Sequence, residues 1–529
     1  MLAQDDIGAE EPLFRNLAGI ACLAISLLGA DAAAATPVEP HGDTIVATHH
    51  EVRLGTRRLQ YTAHAGLVPL YVNDTGERMA SVFFVAYFAD RQPGAPRRPI
   101  TFLWNGGPGA NSAQVHFMGF GPKRPRTPDT FPEYAENTET PVVDNAETWL
   151  GHSDLVFIDP VGTGFSRATT PEHLQTLYTR RGDAEAVAEA IRIILTRFDA
   201  WGAPLVVGGE SYGTTRAMLV AETLQRRGAR VDGVALISGG YDAGQQVPEH
   251  LRDALAITEF TAIAHHHRRL PGDLQALIEQ EAVAQATRWA RETYAPALER
   301  RDRLSAAERE QIRAGLARYT GIAADRLDLQ NLRLSGADFA DRLLSDQGLE
   351  LGRYDGRMTA RARPQGTMWW PTIDPSLQRL GGTMGGTSQV FNRYVRNTLG
   401  FESDLYYQGP FGNAFHPQPR IPHPSGMPAD WMTFRFRMEP GAGEAAETEP
   451  PLRRAMTLNP NMQVINMKGL YDGSCAQLDE AVARTAPDLR QRVTNVCLPG
   501  GHMFYTDRAA RQIAERAFGE FVQRVSARN

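Results

Sequence analysis

Cysteine is scarce, with three in 529 residues. Cys22 lies in an N-terminal apolar stretch expected to be removed. Cys475 and Cys497 are left for at most one disulfide, or for two free thiols. A sustained basic stripe is also missing. The net charge is −6, and the densest cluster, Lys123-Arg124 with Arg126, is broken by Pro125 and reads as a solvated loop. No nucleic-acid partner is therefore expected. Beyond the N-terminus no apolar run is long enough for a membrane helix, so no stable membrane insertion is expected. No internal repeat is visible. The remaining composition, 42% hydrophobic and 22% charged, is that of a folded globular chain. Metal and cofactor motifs are absent as well. His265-His266-His267 are consecutive, so on a helix they diverge. Gly162-Thr163-Gly164 starts like a dinucleotide loop, but Arg167 stands where the third glycine belongs. No metal and no cofactor is expected.

The N-terminus carries the compartment signal. Arg15 precedes LAGIACLAISLL at 17–28, and A-x-A spacings follow at Ala30–Ala32 and Ala32–Ala34. A positive residue, a short apolar core and small residues make a secretory signal over 1–35, implying a secreted or periplasmic protein. Asp5, Asp6, Glu10 and Glu11 depart from the usual basic start. Too little apolar sequence precedes Cys22 for a lipoprotein anchor.

From Gly42 to Ala89 short alternating runs rich in Val, Tyr and Phe predict antiparallel strands. ITFLW, DLVFID, PLVVGG, VDGVALISGG and MQVINMKG are instead continuous apolar runs ending near glycines or Asp-Pro. Such runs are central strands buried on both faces. Helical stretches such as DAEAVAEAIRIILTRFDAW alternate with them, implying a mainly parallel sheet. Residues 246–361 change to Ala-, Leu-, Arg- and Glu-rich helical spacing. The division expected is a core over 36–245, an insertion over 246–455 that is helical in its first half, and a second core part over 456–529.

Gly209-Glu210-Ser211-Tyr212-Gly213 lies between the strand PLVVGG and a helix. A sharp strand-to-helix turn lifts a serine Oγ above the sheet edge, beside a helix N-terminus. Serine needs a base. Asp472 follows the strand MQVINMKG, and His502 follows RVTNVCL in a glycine-paired loop. The order Ser, Asp, His suits this turn: His502 takes the proton and Asp472 fixes its tautomer. Asp479 and Asp507 are the rival acids, neither directly after a strand. Oxyanion donors are expected at the N–H groups of Gly107 and Tyr212.

NGGPG at 105–109, DLVFIDPVGTGFS at 154–166, GESYG at 209–213, Asp472 and GGHM at 500–503 together resemble the serine carboxypeptidases of the cathepsin A and yeast carboxypeptidase type, bacterial branch. The resemblance covers roughly 55–245 and 455–525. It implies an α/β-hydrolase fold with N-terminal antiparallel strands and a helical cap. It also implies a peptide substrate with a free C-terminus, whose carboxylate is bound by Asn105 and Glu210. Two carboxylates share a site only if one holds a proton, so the resemblance implies hydrolysis favoured by mild acid. Departures are Ala110-Asn111-Ser112 for Cys-Ser-Ser, Leu103-Trp104 in reversed order, a shortened Asp159-Pro160, and Gly119 where a glutamate often partners the carboxylate-binding glutamate. A free cysteine stands near the Cys475 position in some relatives, which disfavours a disulfide.

An esterase or acyltransferase on the same Ser211, Asp472 and His502 is the alternative. It needs no carboxylate clamp, so Asn105 and Glu210 favour the peptidase. A non-catalytic binding protein is the third reading; the complete triad argues against it, and rapid labelling of Ser211 by a fluorophosphonate would exclude it. Trp369, Trp370, Tyr406, Tyr407 and Phe411 line a pocket or, more commonly at such spacing, a core.

Overall fold

The three alternating runs at the start form strands β1 (Val46–Leu54), β2 (Arg57–Tyr71) and β3 (Arg78–Ala89), paired antiparallel in sequence. Then come β4 (Ile100–Trp104), the small pair β5 (Lys123–Pro125) and β6 (Val142–Asp144), β7 (Asp154–Ile158) and the short β8 (Arg167–Ala168). They are followed by β9 (Leu205–Glu210), β10 (Gly233–Ile237), the pair β11 (Leu349–Leu351) and β12 (Thr359–Arg361), β13 (Gln463–Gly469) and β14 (Val493–Leu498). This computed structural model describes residues 45–127, 140–328, 331–364, 374–379, 385–409 and 449–527. The expected signal segment, Cys22, Trp369, Trp370 and Phe411 lie outside the described residues.

Ten strands make one sheet in the order β1-β2-β3-β7-β4-β9-β10-β13-β14, with β8 paired to β3. From β7 to β14 all neighbours are parallel. This is the expected α/β-hydrolase fold, a mainly parallel central sheet with antiparallel strands at its N-terminal edge. The chain leaves β4 for β7 on one side and enters β9 on the other. Open α/β sheets bind ligands at such a switch point, beyond the strands' C-terminal ends. Asn105, Ser211, Asp472 and His502 each follow the C-terminal end of β4, β9, β13 or β14.

Side chains alternate across the sheet every second residue. Phe83, Val85 and Tyr87 face one apolar cluster, while Val82, Phe84 and Ala86 face the other. Both faces are covered, so the inner strands read as unbroken apolar runs. The helix Arg508–Ala527 covers the first face through Phe518, Phe521 and Val522. Trp149 stacks between Phe120 and Phe518, with ring centroids 3.8 Å from each. The helices Arg180–Arg197 and Tyr212–Arg226 cover the second face.

Between β10 and β13 the helices Glu249–Leu255, Ile257–His266, Glu279–Trp289, Ala306–Thr320 and Gly336–Arg342 pack around a cluster of their own. Phe260 stacks on Phe339 at its centre, 4.4 Å between centroids. Local chemistry sets the boundaries. Ser305 and Glu308 form a reciprocal capping box at the start of Ala306–Thr320, and Gly321 closes that helix at φ 70°.

One expectation about the fold needs correction. Lys123-Arg124 is not a solvated loop: it lies in β5, where Arg124 is buried and Lys123 bonds Asp144 at 2.5 Å. The Gly162-Thr163-Gly164 turn owes its glycines to packing. A Cβ on Gly164 would overlap the carboxylate of Asp159, and its φ is +49°.

Candidate active site

β9 ends in a turn that only strong local support maintains. Ser211 sits at φ 60°, ψ −126°, a sparsely populated region for a residue with a Cβ. Its N–H donates to Ile237 O (2.9 Å). Its carbonyl accepts from the N–H and the hydroxyl of Thr214, at 3.0 and 2.8 Å. The helix Tyr212–Arg226 starts at the next residue.

The turn after β4 is laid directly on this elbow. A Cβ on Gly106 would stand 2.5 Å from Glu210 O, Tyr212 N and Gly213 N. Trp104 Nε1–H donates to Gly213 O at 3.0 Å. Arg216, buried and paired with Asp183 at 2.7 Å, donates to Asn105 O at 2.7 Å. Thus the turn that carries Gly107 is packed, through Gly106, against the backbone of Tyr212.

Asp472 and His502 are brought together from the ends of β13 and β14. The His502 Nδ1 to Asp472 Oδ1 distance is 2.8 Å. With the Asp472 oxygen as acceptor, Nδ1 carries the proton and Nε2 is left without one. Nε2 lies 4.0 Å from Glu210 Oε1, on the residue next to Ser211. Burial works against the imidazolium. The charge and hydrogen bond of Asp472, with the charge of Glu210, outweigh it and raise the His502 pKa above its ordinary value. The rival acids are engaged elsewhere. Asp479 accepts from Asn495 at 2.9 Å and Asp507 faces Arg357 at 3.4 Å.

The inserted region holds these loops from outside. The N–H of His502 donates to Tyr354 O at 2.6 Å, and the Tyr354 ring meets the imidazole edge-on at 5.1 Å. Gly356 N–H donates to Tyr471 O at 3.1 Å. Arg357 grips Asp355 at 2.7 and 3.0 Å, with its guanidinium 4.5 Å from the centre of the Tyr471 ring.

Cys475 and Cys497 form a disulfide, contrary to the free thiol disfavouring it above. The bond joins the helix after Asp472 to β14 before His502. It closes a loop spanning 22 positions, for which chain entropy gives about 3 kcal/mol. Cys475→Ala/Cys497→Ala is expected to lose about that much unfolding free energy in denaturant titration. An unchanged denaturation midpoint would remove the disulfide from the account of stability.

Glu210 is 2% exposed. Its Oε2 accepts the hydroxyl of Tyr505 at 2.6 Å. Val115 N–H occupies Asn105 Oδ1 at 3.0 Å, so the Asn105 amide nitrogen turns to Glu210 and also bonds it. Burial pushes Glu210 up to about 7, with the His502 charge and the Tyr505 and Asn105 bonds pulling the other way. The Tyr505 ring packs over Gly119, where a Cβ would come within 3.4 Å of it. Neither Tyr505 nor Tyr354 was marked by a motif in the sequence.

Among the described residues no group of three or more His, Cys, Asp or Glu is placed to hold a metal ion. His265 Nε2 pairs with Leu277 O at 3.0 Å and His267 Nε2 with Gly356 O at 2.8 Å, so the two rings diverge. Tyr407 is a core residue whose hydroxyl donates to Asp159 at 3.3 Å, whereas Tyr406 is exposed.

Residues 56–292 match the sequence profile of the family described as serine carboxypeptidase. That matched stretch runs from β2 through β10 into the inserted helices and carries Asn105 and Ser211. Curated relatives include the pheromone-processing carboxypeptidase kex1 of Neosartorya fischeri, 26% identical over 219 residues, covering 38% of this chain and 31% of that one. The enzyme of the same name from Komagataella phaffii is 32% identical over 152 residues, covering 28% and 22%. The chain thus spans less than a third of the length of these relatives. A solved prohormone-processing carboxypeptidase of Saccharomyces cerevisiae aligns with a TM-score of 0.49 at 14% identity, over 87% of this chain and 91% of that one.

Proposed function

We propose that this protein is a serine-type carboxypeptidase that removes C-terminal residues from peptides through an acyl-enzyme on Ser211. The observation that carries the reading is the 2.8 Å Asp472–His502 pair, with Nε2 4.0 Å from Oε1 of Glu210, the residue before Ser211. His502 takes the Ser211 proton as Oγ attacks the scissile carbonyl. The N–H groups of Gly107 and Tyr212 receive the oxyanion. His502 then hands the proton to the leaving amine, and water resolves the acyl-enzyme by the reverse sequence. Asn105 and protonated Glu210 hold the substrate's C-terminal carboxylate. The insertion, whose Tyr354 and Gly356 hold the His502 and Asp472 loops, selects side chains. A secretory signal over 1–35 and the Cys475–Cys497 bond, which persists in an oxidising compartment, support a secreted or periplasmic location.

The pH dependence follows from one proton shared by Glu210 and His502. For peptide turnover that proton must sit on Glu210, leaving His502 a free base. Raising pH through about 7 removes it from Glu210, and the ionised side chain repels the substrate carboxylate. Lowering pH adds a second proton, which lands on His502 and stops attack. A substrate amidated at its C-terminus has no carboxylate to repel and is spared the upper limb. Release of the C-terminal residue from a blocked dipeptide, beside its C-terminal amide, tests this across pH with Ser211→Ala as control. Cleavage of the free acid favoured in mild acid and abolished by Ser211→Ala is expected. Turnover of simple esters with no preference for the free acid would move the assignment to an esterase or acyltransferase.

A further inference from the structure

Tyr505 has no part in the steps above, yet its hydroxyl lies 2.6 Å from Glu210 Oε2 and its ring is fully buried. We propose that Tyr505 is a specificity-determining residue of the carboxylate site: its hydroxyl holds Glu210 as an anion and so competes with an incoming C-terminal carboxylate for that side chain. The inference rests on the carboxypeptidase reading of Asn105 and Glu210.

A phenol donates one hydrogen bond, and a carboxylate accepts it more strongly ionised than protonated. The groups that act on Glu210 from the packed elements are few. His502, after β14, stands 4.0 Å from Oε1 and favours the anion when protonated. Asp472, after β13, opposes the anion through its charge. Asn105, after β4, donates to it, and Tyr505 donates from the turn beyond His502. Burial opposes the anion most of all. Tyr505 itself stays protonated, since burial and the neighbouring Glu210 charge hold its hydroxyl well above its ordinary value. Tyr505 is therefore a constant donor, while His502 and Asp472 are fixed by catalysis. Asn105 is committed to the substrate carboxylate as well, which leaves the phenol as the donor to Glu210 with no other part in the steps above.

Tyr505→Phe keeps the ring over Gly119 and removes the hydroxyl, with its bond to Glu210 and the one it accepts from Asn105. Losing a hydrogen bond to a charged group moves a carboxyl by about one pH unit. The anion is the form that loses support, so the Glu210 midpoint rises and the alkaline limb of peptide kcat/KM moves up. The measurement is kcat/KM for a blocked dipeptide acid and for its amide, from pH 5 to 9, with active sites counted by fluorophosphonate. At pH 8 the acid-over-amide ratio of Tyr505→Phe is expected to exceed that of the wild type about fivefold, the consequence of a one-unit shift. In a Glu210→Gln background, which no longer titrates there, adding Tyr505→Phe is expected to move the ratio no further. A ratio at pH 8 that is unchanged or lower in Tyr505→Phe overturns the inference, as does an equal shift in the Glu210→Gln background. A wild type that fails to distinguish acid from amide at any pH overturns the carboxypeptidase reading together with it. A wild type that prefers the acid while the variant ratio stays put overturns the role of Tyr505 alone.

Discussion

Asp472→Asn is expected to lower kcat for peptide and ester substrates alike by about 10⁴, with little change in KM. Asp472 accepts the Nδ1 proton of His502 at 2.8 Å, and that bond fixes the tautomer in which Nε2 is the base. An asparagine presents either an oxygen or an NH₂ group. With its NH₂ towards Nδ1, the imidazole proton moves to Nε2 and no base faces Ser211. The charge is lost as well. Asp472 is the largest influence raising the His502 pKa against burial, so its neutral replacement lowers that pKa. The labelling rate of Ser211 by a fluorophosphonate should then fall overall, with its acid limb displaced to lower pH. Loss of the raised His502 pKa also removes folded-state stabilisation of the imidazolium, present below the unfolded pKa and gone above the folded one. Measuring kcat and labelling from pH 4 to 9 separates the two effects. An Asp472→Asn enzyme within tenfold of the wild type would mean that another carboxylate orients His502. Asp479 and Asp507 are the nearest rivals in sequence, but their bonds to Asn495 and Arg357 would have to be given up.

Most of the sheet was legible because burial leaves a one-dimensional trace. A strand covered on both faces has no polar side, so ITFLW and GVALI are fully buried and unbroken. The half-covered β1 alternates instead. The signal fails where a polar residue is buried by partners distant in sequence. Nothing around Arg124 announces that it lies inside, because its neighbours on β6 are some twenty positions away. The glycines at 162 and 164, already short of a full phosphate-loop motif, also answer to a contact. Their spacing hints at a phosphate loop, whereas what excludes a Cβ at Gly164 is a carboxylate five residues upstream.

The residues proposed for chemistry stood out because each sits just past a strand, where a short glycine loop is needed. Residues that act by packing on them carry no such mark. Tyr505 follows His502 by three positions and reads as one more aromatic, and its partner Glu210 is nearly three hundred residues away. Tyr354 contacts His502 through a backbone carbonyl and a ring edge, and a carbonyl is available from any residue. The disulfide lay beyond sequence as well. Two cysteines state that a bond is possible, and only the pairing of β13 with β14 brings their chain segments side by side.

Gly106→Ala is expected to lower kcat by about 10²–10³, the cost of misplacing one oxyanion donor. The argument is steric and has no soft escape. The new methyl would stand 2.5 Å from Glu210 O, Tyr212 N and Gly213 N. All three are backbone atoms of the elbow, so no flexible side chain can swing aside. Either the turn after β4 or the elbow after β9 must retreat by nearly an ångström. Trp104, bonded to Gly213 O, and Arg216, bonded to Asn105 O, hold both ends against that movement. Displacement therefore falls on the N–H groups of Gly107 and Tyr212, whose relative position decides how well a developing oxyanion is met. The strained Ser211 moves with them, so fluorophosphonate labelling should slow in parallel with kcat. Gly272→Ala is the matched control, because a Cβ there meets nothing within 4 Å, and its kcat should equal that of the wild type. Counting active sites in the folded fraction separates a displaced donor from plain unfolding. A Gly106→Ala enzyme that is folded, labels at the wild-type rate and keeps its kcat would place the oxyanion site elsewhere than at the meeting of these two turns.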